Sequence, residues 1–143
     1  MTVIDYLERP ETLRREITRE RKRISVLRDL AGRLTARLQE VRVKSTPDPT
    51  RLQALLAEIA DGENELLRME ETLLKALADT GAYISLLPEE KLIRVMEARY
   101  LEGLCWEEAA AVLAYSITSM HRYHRQALAL LPPPPEDPGE LPG

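Results

Sequence analysis

The chain has 143 residues and a formal net charge of −4; 44% of it is hydrophobic, only 4% is aromatic, and phenylalanine is absent. That length suits one domain or a small domain with an extension, and the aliphatic composition favours helices packed on leucine and alanine seams over an aromatic-lined ligand pocket. A single cysteine, Cys105, rules out an internal disulfide and argues against a cysteine-based metal cage. No apolar run is long enough for a bilayer, and MTVIDYLERPE lacks the regions of a signal peptide, so a cytoplasmic protein with no membrane partner is expected.

The charge is unevenly placed. Residues 1–46 carry twelve Lys/Arg against seven Asp/Glu, residues 47–80 three against eight, and residues 81–131 five against six. No segment is a dense polycation, so non-specific affinity for nucleic acid should be modest.

After Pro10, apolar residues recur at Leu13, Ile17, Ile24, Leu27, Ala31, Leu34, Leu38 and Val41, a heptad seam whose missing position is Glu20. Gly32 lies off that seam. The run VKSTPDPT breaks the helix, with Asp48-Pro49 reading as an N-cap followed by proline at the first helical position. A second seam follows at Leu52, Leu55, Ile59, Gly62, Leu66, Met69, Leu73 and Ala76. Two long amphipathic helices with a short break predict an antiparallel hairpin, its basic first arm beside its acidic second arm. Mutual burial is the plain reading of both seams; a seam left partly open for a partner chain is the other.

A second break falls at Leu87-Pro88. From Pro88 to about Leu101 the pattern is helical, and Gly103 suits the left-handed position after a helix end. WEEAAAVL reads as a two-turn helix with Trp106, Ala109, Ala110 and Leu113 inward, the alanines letting another helix approach closely. AYS makes a short turn, and Ser116 is a good N-cap for a last helix ending near Leu131. That helix carries two stripes. Met120, Tyr123, His124, Ala127 and Leu131 should face the core, and Thr118, His121, Arg122 and Arg125 should face outward. Hydroxyl, imidazole and guanidinium groups near a helix start can hydrogen-bond base edges and phosphates. Short helix, tight turn and capped second helix are the anatomy of a helix-turn-helix. Beyond it, PPPPEDPGELPG holds six of the ten prolines and reads as an extended or disordered tail.

The stretch LPEEKLIRVMEARYLEGLCWEEAAAVLAYSITSMHRYHRQALALL resembles region 4 of sigma-70-type factors, through RYLEGL, the WEEAA helix, the serine-capped last helix and the terminal AL..L. More narrowly, RYLEG–WEEAA–YS–R.H..AL is similar to small phage regulators of the RinA and ArpU kind, and the long helical first half with its VKSTPDP break extends the likeness to about residues 5–131. The resemblance implies a phage or prophage transcriptional regulator, often of late genes, without the sigma parts that melt a promoter. Two positions depart from the pattern. Cys105 stands where serine or threonine usually caps the WEE helix, which should then start less firmly. Ala114 replaces a frequent turn glycine, which should strain the turn.

Other chemistries find little support. Two histidines, His121 and His124, at i, i+3 need further ligands to hold a metal, and no HExxH or CxxC exists. No glycine-rich phosphate loop or nucleophile–histidine arrangement assembles, so no enzyme, metal or cofactor is expected. The fold expectation is all-α: a helical hairpin over residues 1–86, a sigma-region-4-like helix-turn-helix over 87–131 and a disordered proline-rich tail over 132–143. The functional expectation is a sequence-specific DNA-binding regulator that reads double-stranded DNA with Ser116, Thr118, Ser119, His121, Arg122 and Arg125. Homo-oligomerisation through the hairpin and contact with RNA polymerase complete it. The runners-up are a helical interaction protein docking on polymerase or a sigma factor, and a phage DNA-packaging recognition subunit.

Overall fold

The structure, a computed structural model, describes residues 1–40 and 49–135. All regular structure among them is helical: α1 (Val3–Glu40), α2 (Pro49–Ile84), α3 (Glu90–Met96) continuing into a π-helical turn (Glu97–Leu101), α4 (Trp106–Leu113) and α5 (Ile117–Leu130). The expected seam position Val41, the Asp48 cap and the tail from Glu136 lie outside the described residues. None of the described helices is long and apolar enough to cross a membrane.

α1 starts well before the seam. Thr2 and Asp5 cap it reciprocally: the Thr2 amide donates to Asp5 Oδ2 and the Asp5 amide to Thr2 Oγ1, each at 3.1 Å. Those bonds hold the Asp5 carboxyl below its ordinary pKa. The helix then carries Pro10 in its interior, where the ring removes one backbone donor; the side chain is buried.

The described chain packs as two compact units. The central unit takes Arg15–Glu71. Its core is Ile24, Ala31 and Ile59, with Leu27, Leu52, Leu55 and Leu66 packed against them. Ion pairs run between its two helical stretches: Arg21 to Glu70 at 2.8 Å, Arg23 to Glu58 at 3.2 Å, and Arg28 to Glu63. In the Arg21–Glu70 and Arg28–Glu63 pairs the first number rises as the second falls, so the stretches run in opposite directions. These pairs are solvent-exposed and each contributes under about 1 kcal/mol; they set register more than stability. Glu20, the gap in the first seam, meets Gly62 of the second. A Cβ at Gly62 would lie 3.3 Å from Glu20 Oε1 and 3.1 Å from Ile24 Cγ1. The space left by the residue without a side chain is shared by Arg23, whose Nη2 would lie 3.0 Å from that Cβ, with Ile24 and Glu20, and Arg23 neutralises Glu20 at 2.7 Å.

The terminal unit joins Met1–Arg14 to the described residues from Thr72 onward. Its main core gathers Tyr6, Leu7, Tyr83, Ile84, Leu87, Leu92, Met96, Tyr100, Ala127 and Leu131. Tyr6 and Tyr83 meet edge-to-face at 4.9 Å, and the Tyr83 hydroxyl donates to the Pro132 carbonyl. The start of the proline run is therefore held against the core and is not loose at Pro132.

The expected helix from Pro88 is shorter and changes pitch. α3 begins at Glu90, and at Glu97 the chain widens into the π turn, closed by Glu102 N–H donating to the Glu97 carbonyl at 3.0 Å. Arg14 donates to the Leu101 carbonyl at its end. Gly103 then takes φ +72°, so the Leu104 amide reaches the Ala98 carbonyl at 3.1 Å. Glycine is favoured there by the backbone conformation, and a Cβ would also sit 2.9 Å from Arg14 Nη1, moving that guanidinium.

Candidate nucleic-acid interface

α4 and α5 are held by a second core of Val95, Ala98, Ala109, Ala110 and Met120, with Leu104, Trp106, Leu113, Tyr115 and Tyr123 around it. Ala109 is fully buried and Ala110 nearly so, as the close approach of helices requires. α4 starts at Trp106 behind Cys105. The thiol is exposed, and the carboxylate of Glu108 accepts the Cys105 backbone amide at 3.3 Å. Glu108 thus supplies the reverse half of a capping box, and the poor cap is compensated from inside the helix. The thiol's own contact with the Glu108 carboxylate raises the Cys105 pKa, and the same contact, with the amide bond, lowers that of Glu108.

The connection from α4 to α5 is Ala114, Tyr115 and Ser116. Ala114 is left-handed, at φ 59° and ψ 38°, and its amide reaches back to the Ala110 and Ala111 carbonyls. Among the described non-glycine residues it alone has positive φ. Ser116 then caps α5: its Oγ accepts from the Ser119 amide at 3.1 Å and donates to the Ser119 hydroxyl at 2.9 Å.

Met120 and Ala127 on α5 are fully buried and Leu131 nearly so. Tyr123 is half-buried, stacked edge-on to Tyr115 at 5.4 Å and covered by Lys91 Nζ at 5.0 Å. His124 accepts from or donates to the Tyr100 hydroxyl through Nε2 at 2.7 Å, according to its tautomer. Burial pushes its pKa down to about 4, helped by the nearby cationic side chains of Arg99 and Arg125 and by His121. The imidazole is therefore neutral near pH 7 and acts as a hydrogen-bonded packing group. Burial also pushes the Tyr100 hydroxyl up to about 12, so it remains protonated.

Of the six residues singled out from the sequence, Thr118, Arg122 and Arg125 stand exposed on one stripe of α5. The spacing of four and then three residues explains their common face. The Arg122 guanidinium lies 5.2 Å from the Tyr123 ring centre, a cation–π seat, while the residue stays exposed. His121 sits differently: it is half-buried, with its ring 4.9 Å from Trp106, whose other neighbour is His124 at 4.8 Å. Ser116 is exposed but its hydroxyl is engaged in the cap, and Ser119 is half-buried as its partner. The exposed stripe is thus narrower than the sequence pattern suggested.

Trp106 is the organiser that periodicity alone did not reveal. It receives both histidines, and Arg99 lies over it at 5.5 Å while donating to the Leu104 carbonyl at 3.2 Å. Nothing in the local pattern marks Arg99 for this role, because its partners come from the loop and helix that follow. Exposed Glu107 and Glu108 mark the start of α4, where hydrogen bonds from its own backbone amide and from Cys105 hold the Glu107 carboxyl below its ordinary pKa. Among the described residues no three His, Cys, Asp or Glu side chains converge as a metal cage would require.

Compared with known proteins, the chain matches no family model, no curated protein and no solved structure.

Proposed function

We propose that this chain is a sequence-specific DNA-binding transcription regulator of phage or prophage, late-gene type. In this reading α4, the Ala114–Ser116 turn and α5 form a sigma-region-4-like helix-turn-helix, and α5 lies in the major groove of double-stranded DNA. One observation carries it: α5 buries Met120 and Ala127 while Thr118, Arg122 and Arg125 stand exposed together near its capped start. A hydroxyl and two guanidiniums on one stripe match the donors that base edges and phosphates accept. His121 and the Ser116–Ser119 pair shape the stripe's start. The helical hairpin serves homo-oligomerisation, because one short recognition helix in a segment with five basic and six acidic residues binds weakly alone. Contact with RNA polymerase would follow from the same architecture.

The test is binding of the purified protein to its own flanking DNA, against scrambled DNA, over a salt series. Selective binding that weakens with salt is expected, and Arg122→Ala or Arg125→Ala should each lower specific affinity roughly tenfold or more, in line with about 1–3 kcal/mol per base contact. The helical signal should be retained. Unchanged affinity in both variants would overturn the reading.

A second reading draws on Glu107 and Glu108, exposed where phosphate would approach. Their charge suits a helical interaction protein that docks on polymerase or a sigma factor and avoids DNA. A DNA-packaging recognition subunit is the third, and ring-like higher oligomers would distinguish it.

A further inference from the structure

One flank of the central unit carries leucines that the unit itself leaves uncovered. The Arg21–Glu70 and Arg28–Glu63 pairs mark this flank. Helical spacing puts Leu56, Ala60 and Leu67 on it as well, since they lie seven before, three before and four after Glu63. Leu56 is 51% exposed and Leu67 58%. On the facing helix, Ser25 and Gly32 fall three before and four after Arg28. Both are exposed, and a Cβ at Gly32 would meet nothing within 4 Å. Two leucines therefore flank a strip where a foreign backbone can approach closely.

Charge says what fits there. The charges on this flank are already paired, so it presents no net field to repel an identical surface. The opposite flank, marked by Arg23–Glu58, is different. Arg33, Arg37 and Arg51 line a shallow groove of about 550 Å³ there, and none has an ion-pair partner among the described residues. Exposed Val26 and Leu30 lie on that flank by the same spacing, and pairing it with itself would oppose like charges.

Symmetry and size agree. Leu56 and Leu67 are equidistant from the point between Asp61 and Gly62, so a two-fold axis there sets each leucine against its counterpart and Ala60 near the crossing. Two helices about 35 Å long and about 20 Å across present roughly 700 Å² per copy, close to the ~800 Å² a stable partner contributes. The central unit's own core is one narrow seam around Ile24, Ala31 and Ile59, so covering this flank adds apolar burial that the unit does not supply itself.

We propose that the Leu56–Ala60–Leu67 flank seats the same flank of a second copy of this chain, forming a two-fold, four-helix association. The inference deepens the proposed oligomeric reading by naming its face. Its test uses no DNA, so its failure leaves the DNA-binding experiment standing.

Sedimentation of the full chain at micromolar concentrations should show a reversible dimer or an even multiple of it. The double variant Leu56→Glu/Leu67→Glu should weaken self-association at least tenfold with helical signal retained. Val26→Glu/Leu30→Glu, on the other flank, should leave it unchanged. In a Cys105→Ser background, Ala60→Cys should cross-link copies under mild oxidation faster than Ala54→Cys, a groove position. This arm decides the matter if the glutamate variant unfolds. A monomer at tens of micromolar overturns the proposal. So does undiminished association in a folded Leu56→Glu/Leu67→Glu variant, or cross-linking favoured at Ala54.

Discussion

His124 and Ala114 each hold a state that their residue type disfavours, and both can be read out directly. His124 is neutral in the folded chain with a pKa near 4, against an ordinary value of 6.5. Because the folded pKa is depressed, the folded state binds fewer protons than the unfolded one between those values. The stability it contributes is present above about pH 6.5 and is lost as pH falls from there toward 4. Allowing for partial solvent access, the loss is on the order of 2 kcal/mol. Urea unfolding between pH 7 and 4 should show this decline, and it should shrink in His124→Gln. Asp5, Glu20, Glu107 and Glu108, held below their ordinary values, lose their stabilising effect only below about 4.5, so the decline above that belongs to the histidine. A decline of equal size in the variant would deny the buried imidazole its role. For Ala114, a left-handed conformation costs a residue with a Cβ about 1–2 kcal/mol, less the entropy that glycine loses on folding. Ala114→Gly should therefore raise unfolding stability by about 0.5–1 kcal/mol. A loss of stability would mean that the turn is not left-handed at this residue.

At the scale of elements, the two helical stretches of the central unit are fitted by one complementary gap. Gly62 accommodates Arg23, Ile24 and Glu20, with contacts of 3.0, 3.1 and 3.3 Å to a Cβ placed there. Gly62→Ala gains up to about 1 kcal/mol of helix propensity and loses a similar amount to crowding, so thermal unfolding should move little. Gly62→Leu has no room, and a loss of roughly 2 kcal/mol or more is expected, with the Arg23–Glu58 pair displaced. Unaltered thermal stability in Gly62→Leu would contradict the close approach. The π turn is the other element-scale feature. Its extra residue shifts the phase of everything after Glu97, and the Arg14 bond to the Leu101 carbonyl satisfies a group that the wider turn leaves at its end. A regular helical pattern in EEKLIRVMEARYLEG gives no hint of it, because the compensating donor comes from α1.

At the scale of the molecule, the basic excess of residues 1–46 and the acidic excess of residues 47–80 meet within the central unit as cross-helix pairs. Few cations are left in the terminal unit for nucleic acid. DNA binding of the proposed kind therefore rests on a handful of contacts, and its salt slope should be shallow, since that slope counts phosphates neutralised. The heptad seams, the α4 limits, the Ser116 cap and the inward stripe of α5 were determined by sequence, because each depends on residues within a turn or two of one another. Tertiary structure decided the remainder. It placed His121 against Trp106 instead of in solvent, committed the Ser116 hydroxyl to Ser119, seated Arg99 over Trp106 and drew Pro132 to Tyr83. Most of these contacts depend on how one helix packs on another, and that packing has no local period to reveal it. A side chain's face follows from helical spacing, but whether that face meets solvent or an aromatic ring depends on distant parts of the chain.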